Sequence, residues 1–466
     1  MRPSTETAHE LERFERMIAA ARAGVGTPRP GVERRRAGRD QRDRLHYALL
    51  ELVADRGLQG VSVRALCARA GVSTRSLYSL YGGNGEEAKE SCFLASYDRI
   101  VRETVSRMYA ARIASRDWRE GMRGVVQALA VAVSSRPERA RIVLVEPYGA
   151  GEPALRRLAD THRQFEGLLA QRFASGPQGV RLPPLLLKGI VGGLARVARR
   201  ALVEGTTAEL PDHVDELLAW MLSFGDPCSE RVGELAWLEG SPLLAQRVPA
   251  SRQPVAPRER LLLAAAQIAA AGGYESLSEG ALLARAQVPR AAFVESFAGV
   301  EDCFIQAVCL RVAQTIAYAS MAARAGAPGT EAVYRATQAL CTRIAGSPAL
   351  ARLSFVEIFR VGAAGVDARE RLIGALARLF FEQLSAAERP GEYAAQASVG
   401  ALWRIAHDHV VGERARSLPA LSGPLAYLLL TPAIGAERAF AEIRAAQARM
   451  RGPARKAPEP AGRQKP

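Results

Sequence analysis

The sequence predicts an all-α protein that writes one helical plan twice, and three observations predict it. Alanine, leucine and arginine dominate while aromatic residues make up only 6%, a balance that favours helices over sheets. Outside three irregular stretches, apolar residues recur at i, i+3, i+4 and i+7, as on one face of a helix. Residues 65–72 read ALCARAGV and residues 281–288 read ALLARAQV, 216 positions apart. With 48% hydrophobic and 24% charged residues in 466 positions, the chain can bury more than one globular core.

The surroundings of that match keep its register. Arg42-Asp43-Arg44-Leu45 answers to Arg258-Glu259-Arg260-Leu261 at the same interval of 216. Cys92-Phe93 then matches Cys303-Phe304, Pro137 matches Pro348, and Val145-Glu146 matches Val356-Glu357, all at 211. The lost five positions fall in the loop G-G-N-G-E-E-A that begins at Gly82. Gly192 aligns with Gly400 and Leu210-Pro211 with Leu418-Pro419 at 208. One register with two small length changes indicates an internal duplication.

The elements follow in order. Residues 1–36 read as a basic, flexible extension with a short helix at His9–Arg22, and Arg34, Arg35 and Arg36 are expected to bind DNA from an arm before the first main helix, where the chain can cross the adjacent minor groove. Leu45, Leu49, Leu52 and Val53 give that helix its apolar face, and Gly57 ends it. Ser62 caps a second helix with Val63, Leu66, Cys67 and Ala70 inward, and Gly71 supplies the tight turn after it. Ser73 caps a short third helix whose inward face is Leu77, Leu80 and Tyr81. Two short helices around a glycine turn make a helix-turn-helix, placed at residues 37–97. The third helix shows Thr74, Arg75, Tyr78 and Ser79 outward, where a recognition helix meets DNA: Arg75 suits a guanine edge and Tyr78 a phosphate. Residues 98–225 read as a helical bundle and 226–256 as a linker. A second helix-turn-helix-like domain occupies 257–315 and a second bundle 316–448. The basic, proline-rich tail 449–466 is expected to be disordered.

From Arg42 to Asp98 the chain resembles the DNA-binding domain of the TetR family of transcriptional regulators. The resemblance rests on Gly57, Ser62, Ala70-Gly71-Val72-Ser73, Tyr78-Ser79-Leu80-Tyr81 and Lys89-Glu90. It implies two tandem TetR-like units, each a three-helix helix-turn-helix domain followed by a helical regulatory bundle. By the same resemblance Ser62, Tyr78 and Lys89 contact phosphates and Thr74 and Arg75 contact bases, with Arg64 and Ser73 in the DNA-facing set. Five extra loop residues precede Lys89, a departure from the family pattern. Relatives bind small molecules in the bundle and dimerise through it.

The second copy keeps a core (Leu261, Ile268, Leu282, Val288, Phe293, Phe297) and punctuation at Gly272 and Ser278, but its outward groups change. Gly71 corresponds to Gln287, Ser73 to Pro289, Arg75 to Ala291, Tyr78 to Val294 and Lys89 to Val300. Arg290 remains as a compensating donor. The pattern is that of a preserved shape with a weakened reading role.

A formal charge of +15 and a pI near 10.0 suit a polyanionic partner. Only four lysines contribute, so the basicity is mostly arginine. The six cysteines form no C-x-x-C pair, which points to reduced core positions and a cytoplasmic protein with no zinc. The amino end lacks the apolar core of a signal peptide, and no uninterrupted apolar run approaches the ~20 residues of a membrane span. His407-Asp408-His409 places its histidines on different helix faces, and Gly82-Gly83-Asn84-Gly85 lacks the strand and Gly-Lys of a phosphate loop. No catalytic, metal or cofactor site is expected. Trp118, Tyr148, His162 and Phe165 in the first half, and Phe355, Phe359, Trp403 and His407 in the second, are the candidates to line an apolar effector pocket. The expected function is a cytoplasmic DNA-binding transcriptional regulator, a repressor, that binds operator DNA and a small apolar effector as a homodimer or internal pseudo-dimer. The alternative is a ligand-sensing or scaffold protein with the same fold and little DNA affinity.

Overall fold

The computed structural model describes residues 32–113, 115, 117–236 and 256–451; the expected helix at His9–Arg22, much of the expected linker and the tail beyond Arg451 lie outside them. The described residues form nineteen α-helices joined by short loops and 3-10 turns, with no strand among them. The first nine are α1 (Val32–Arg56), α2 (Val63–Ala70), α3 (Thr74–Tyr81), α4 (Gly85–Ile113), α5 (Trp118–Ser135), α6 (Pro137–Leu144), α7 (Glu152–Ala174), α8 (Pro184–Glu204) and α9 (Val214–Leu222). The next nine are α10 (Pro257–Gly272), α11 (Glu279–Ala286), α12 (Arg290–Ser296), α13 (Val300–Arg324), α14 (Thr330–Gly346), α15 (Pro348–Phe355), α16 (Ala363–Phe381), α17 (Glu392–Val411) and α18 (Ser422–Ile434); α19 (Ala436–Arg451) closes the series. Helices of equal rank start 216 residues apart at α2 and α11, 211 at α6 and α15, and 208 at α8 and α17.

The amino end departs from the sequence reading. Arg34, Arg35 and Arg36 are expected in an arm, but the backbone carries them within α1, which begins at Val32. Glu, Arg, Ala and Gln between Val32 and Leu45 are good helix formers, and the single Gly38 costs too little to stop the helix that the later leucines anchor.

Two compact units result, Met1–Leu158 and Ala159–Pro466. In the first, α1 to α4 close on fully buried Leu45, Leu49, Val53, Leu66, Leu77 and Phe93. In the second, α10 to α13 close on Leu261, Ala265, Leu282, Phe293 and Cys303. The division falls inside α7 and not in the 226–256 stretch. The reason is packing: α8 lies along α17, and the turns at Pro227–Leu235 pack on α18 and α19. Gln447 Nε2 donates to the Leu235 carbonyl at 2.7 Å, and the Ser229 and Tyr427 hydroxyls bond at 2.8 Å.

Two helical stretches, Val300–Arg324 and Ala415–Ile434, are long and apolar enough to cross a membrane, which the sequence reading did not expect. Both serve as packing elements of the second unit, and Leu425 through Leu430 are fully buried there.

Candidate nucleic-acid interface

The first helix-turn-helix is built by its caps. The Ser62 hydroxyl accepts from Ala65 N at 3.1 Å and the Ser73 hydroxyl from Ser76 N at 3.0 Å, so each short helix begins with a satisfied amide. Gly71 takes the left-handed conformation (φ 60°, ψ 39°) that ends α2, and Arg44 Nη1 donates to its carbonyl at 3.2 Å. Arg42 Nη2 holds the Leu80 carbonyl at 3.0 Å at the other end of α3. With Leu77 fully buried, Thr74 and Arg75 face solvent at the amino end of α3 and Arg64 does so on α2, while Tyr78 is half-buried against the core. Arg75 makes no ion pair among the described residues. The side chains of Arg34, Arg35 and Arg36 lie outside the described set.

Lys89 differs from the free phosphate contact the resemblance implies. Its side chain is mostly buried, donates to the Val61 carbonyl at 3.0 Å, and pairs with Glu86. The ammonium thus ties α4 to the start of α2.

The second module repeats the scaffold and replaces the face. Ser278 caps α11 through Ala281 N at 3.2 Å, and Arg260 Nη2 donates to the Gln287 carbonyl at 3.0 Å, as Arg44 does to Gly71. Gln287 holds the left-handed turn itself (φ 52°, ψ 51°), which favours glycine. The glycine that matches Gly57 is Gly273 (φ 79°), not Gly272. Pro289 leaves α12 without a side-chain cap, and Arg290, the remaining cation, is bound to Glu279 at 2.6 Å. Val294, at the place of Tyr78, is 58% exposed.

A carboxylate in each copy joins the module to the helices beyond it, which the sequence reading aligned without assigning a role. Glu146, nearly buried, accepts from Leu58 N at 2.8 Å and from Arg141 Nε at 2.7 Å. Glu357 accepts from Tyr274 N at 3.0 Å and faces Arg352 at 3.7 Å. A Glu retained at one interval amid diverged neighbours was the available signal.

The contact of α8 with α17 is reciprocal. A Cβ added to Gly192 would collide with the Arg404 side chain, and one added to Gly400 would stand 2.7 Å from Arg196 Cβ. Gly192 matches Gly400 and Arg196 matches Arg404 at the interval of 208, so each copy's glycine receives the other's arginine. Trp220 Nε1, on α9, donates to Ser398 Oγ of α17 at 2.9 Å beside that contact. Three buried guanidiniums, Arg196, Arg199 and Arg369, surround Glu370. Burial disfavours the Glu370 charge, but those arginines hold its carboxyl below the usual range.

The effector candidates separate. Phe355 and Trp403, stacked with centroids 4.2 Å apart, line a cleft of about 70 Å³ between α13, α14, α15, α16 and α17. Phe359 lies outside that lining, with the Arg369 guanidinium 5.3 Å from its ring. His407 sits beside Asp408, which also takes Lys188 and Arg404. His162 is buried on α7, where burial and the charges of Arg404 and Arg199 drive its imidazole well below its ordinary pKa. Phe165 is half-buried on that helix, and Trp118 and Tyr148 belong to the first unit. Among the described residues no three His, Cys, Asp or Glu side chains group as metal ligands.

Residues 48–83 match the family described as bacterial regulatory proteins, tetR family, so the chain carries a TetR-type helix-turn-helix in an all-α fold. No curated protein matches the chain. Among solved structures, the transcriptional regulator FadR from Bacillus subtilis, in complex with stearoyl-CoA, matches at 14% identity and a TM-score of 0.35 over 39% of this chain and 97% of that one. The fatty acid degradation regulator FadR from Bacillus halodurans matches at 17% identity and a TM-score of 0.34 over 42% and 97%.

Proposed function

We propose that this chain is a sequence-specific, DNA-binding transcriptional regulator of the TetR type, a cytoplasmic repressor responsive to a small molecule. One observation carries the reading: α3 buries Leu77 and presents Thr74 and Arg75, which makes no ion pair among the described residues, to solvent at its amino end, within the residues that match the family. An arginine there meets a guanine edge bidentately while Ser62 and Tyr78 take phosphates. We further read the chain as two TetR-like units in tandem, paired with each other. Helices of equal rank at intervals of 216, 211 and 208 support this, and so does the exchange of Gly192–Arg404 for Gly400–Arg196, since in a two-fold interface residue i meets j and j meets i. Each chain then offers one intact reader, and two chains cover the half-sites of a palindrome.

A mobility-shift assay with DNA flanking the chain's own coding region tests the proposal. The expected result is a discrete complex that unrelated DNA does not compete away and that added salt weakens. Equal affinity for every duplex would sink the regulator reading.

A further inference from the structure

The second half holds a cleft whose charged lining is not repeated at the matching positions of the first half. The cleft beside Phe355 and Trp403 is apolar along most of its lining, yet Arg311 of α13 and Arg343 of α14 also line it. Among the described residues neither arginine has a carboxylate within ion-pair distance. Arg311 Nη1 reaches only the Gln314 side-chain oxygen at 3.1 Å, and the Arg343 guanidinium lies 5.4 Å from the Tyr318 ring centroid. Burial and the neighbouring Arg343 charge both depress the Arg311 pKa, as expected of two like charges sharing a half-dry wall. Trp403, 4% exposed, has its indole Nε1–H buried with no acceptor among the described residues. Two uncompensated cations and one idle donor at an apolar cleft leave room for one kind of neutralising occupant.

We infer that this cleft binds a small organic acid. Its oxyanion lies between Arg311 and Arg343 and its apolar or aromatic body against Phe355, Trp403 and Leu402. The inference rests on the reading of the chain as an effector-responsive regulator and narrows the small apolar effector expected from sequence to an acid. Guanidinium–carboxylate hydrogen bonds are charge-assisted and about twice as strong as neutral ones. The volume of about 70 Å³ is far below the roughly 300–1,000 Å³ of drug-sized pockets, so the body is a ring or a short chain. At the intervals of 211 and 208, the first half places Ile100, Ala132, Leu144 and Ala195 where Arg311, Arg343, Phe355 and Trp403 stand. Those four positions hold neither cation nor indole, so sensing belongs to the copy whose DNA-facing groups are lost.

Calorimetric titration of the full chain, without DNA, with benzoate and hexanoate tests the inference, with benzamide and hexanamide as neutral isosteres. The expected result is saturable binding of at least one acid at one site per chain, its amide about tenfold weaker or more. The double variant R311Q/R343Q should lose the preference for acid over amide. R311K/R343K should retain part of it, which guards against a folding defect in the first variant. Equal binding of acid and amide, an R311Q/R343Q protein that still prefers the acid, or no saturable binding of either acid would overturn the inference. A mobility shift on the same preparation separates the outcomes: absent acid binding with intact DNA binding removes this site and leaves the regulator standing.

Discussion

Replacing Glu146 by glutamine should loosen the joint between the first helix-turn-helix and α6 and weaken DNA binding with it. The carboxylate is 8% exposed and accepts from Leu58 N at 2.8 Å and Arg141 Nε at 2.7 Å. Glutamine offers one oxygen and one NH2, so one of the two donors must face another donor. A hydrogen bond to a charged group contributes about 1.5–3 kcal/mol, and a stranded buried donor costs about 1–3 kcal/mol. The Arg141 side chain is 25% exposed, so water recovers part of its loss. The expected destabilisation is about 2 kcal/mol. Glu357→Gln perturbs the matching joint, where Arg352 is 44% exposed and 3.7 Å away, and about 1 kcal/mol is expected. Urea midpoints give the stabilities, and fluorescence anisotropy on an operator duplex gives the affinities. Glu146→Gln should weaken DNA binding and Glu357→Gln should leave it unchanged. An unshifted midpoint for Glu146→Gln, or an equal loss of affinity in both variants, would refute the reasoning.

Gln287→Gly should raise stability by about 1 kcal/mol and Gly71→Gln should lower it by about 1–2 kcal/mol, because both positions are left-handed; equal midpoints for Gln287→Gly and the parent would contradict the strain at Gln287. His46 is buried beside Arg99 and Arg139, and burial first, then those charges, lower its pKa from 6.5 to about 4. The unfolded chain therefore binds the proton more readily, so stability present above pH 6.5 falls between pH 6.5 and about 4, by at most about 3 kcal/mol. His46→Phe should flatten that part of the pH profile, and an unchanged slope would assign the acid sensitivity elsewhere. Gly400→Leu should cost about 1–3 kcal/mol by overpacking against Arg196 and raise the apparent mass in light scattering as α8 and α17 faces open to other chains. A stable variant of unchanged mass would speak against the α8–α17 contact.

Local chemistry was legible in the sequence. Ser62, Ser73 and Gly71 announce their own caps and turn, and the intervals of 216, 211 and 208 recur as helix starts because length changes collect in loops. Groups whose partners lie far along the chain were not legible. Lys89 reads as an exposed cation until the Val61 carbonyl, which folding brings beside it, accepts its hydrogen bond. Glu146 looks like any surface carboxylate until Leu58 N, 88 residues away, donates to it. The α8–α17 contact depends on side chains that are absent at Gly192 and Gly400, and an absence has no periodicity to detect. Arg34, Arg35 and Arg36 show the converse: their charge suggests an arm, whereas helix propensity places their backbone within α1.

The asymmetry between the two modules is the central claim, and paired variants measured by anisotropy on one operator duplex at fixed salt test it most directly. Arg75→Ala with Tyr78→Phe removes the base contact and one phosphate contact from the first module; Arg290→Ala with Arg285→Ala removes two cations from the second, where Ala291 and Val294 stand in place of Arg75 and Tyr78. The first pair should lose about 1–3 kcal/mol of discrimination between operator and a single-base mismatch, together with overall affinity. The second pair should bind as the parent does, because Arg290 is already held by Glu279 and Arg285 by Gln267. A greater loss from the second pair than from the first would contradict the account and make residues 279–296 the reader.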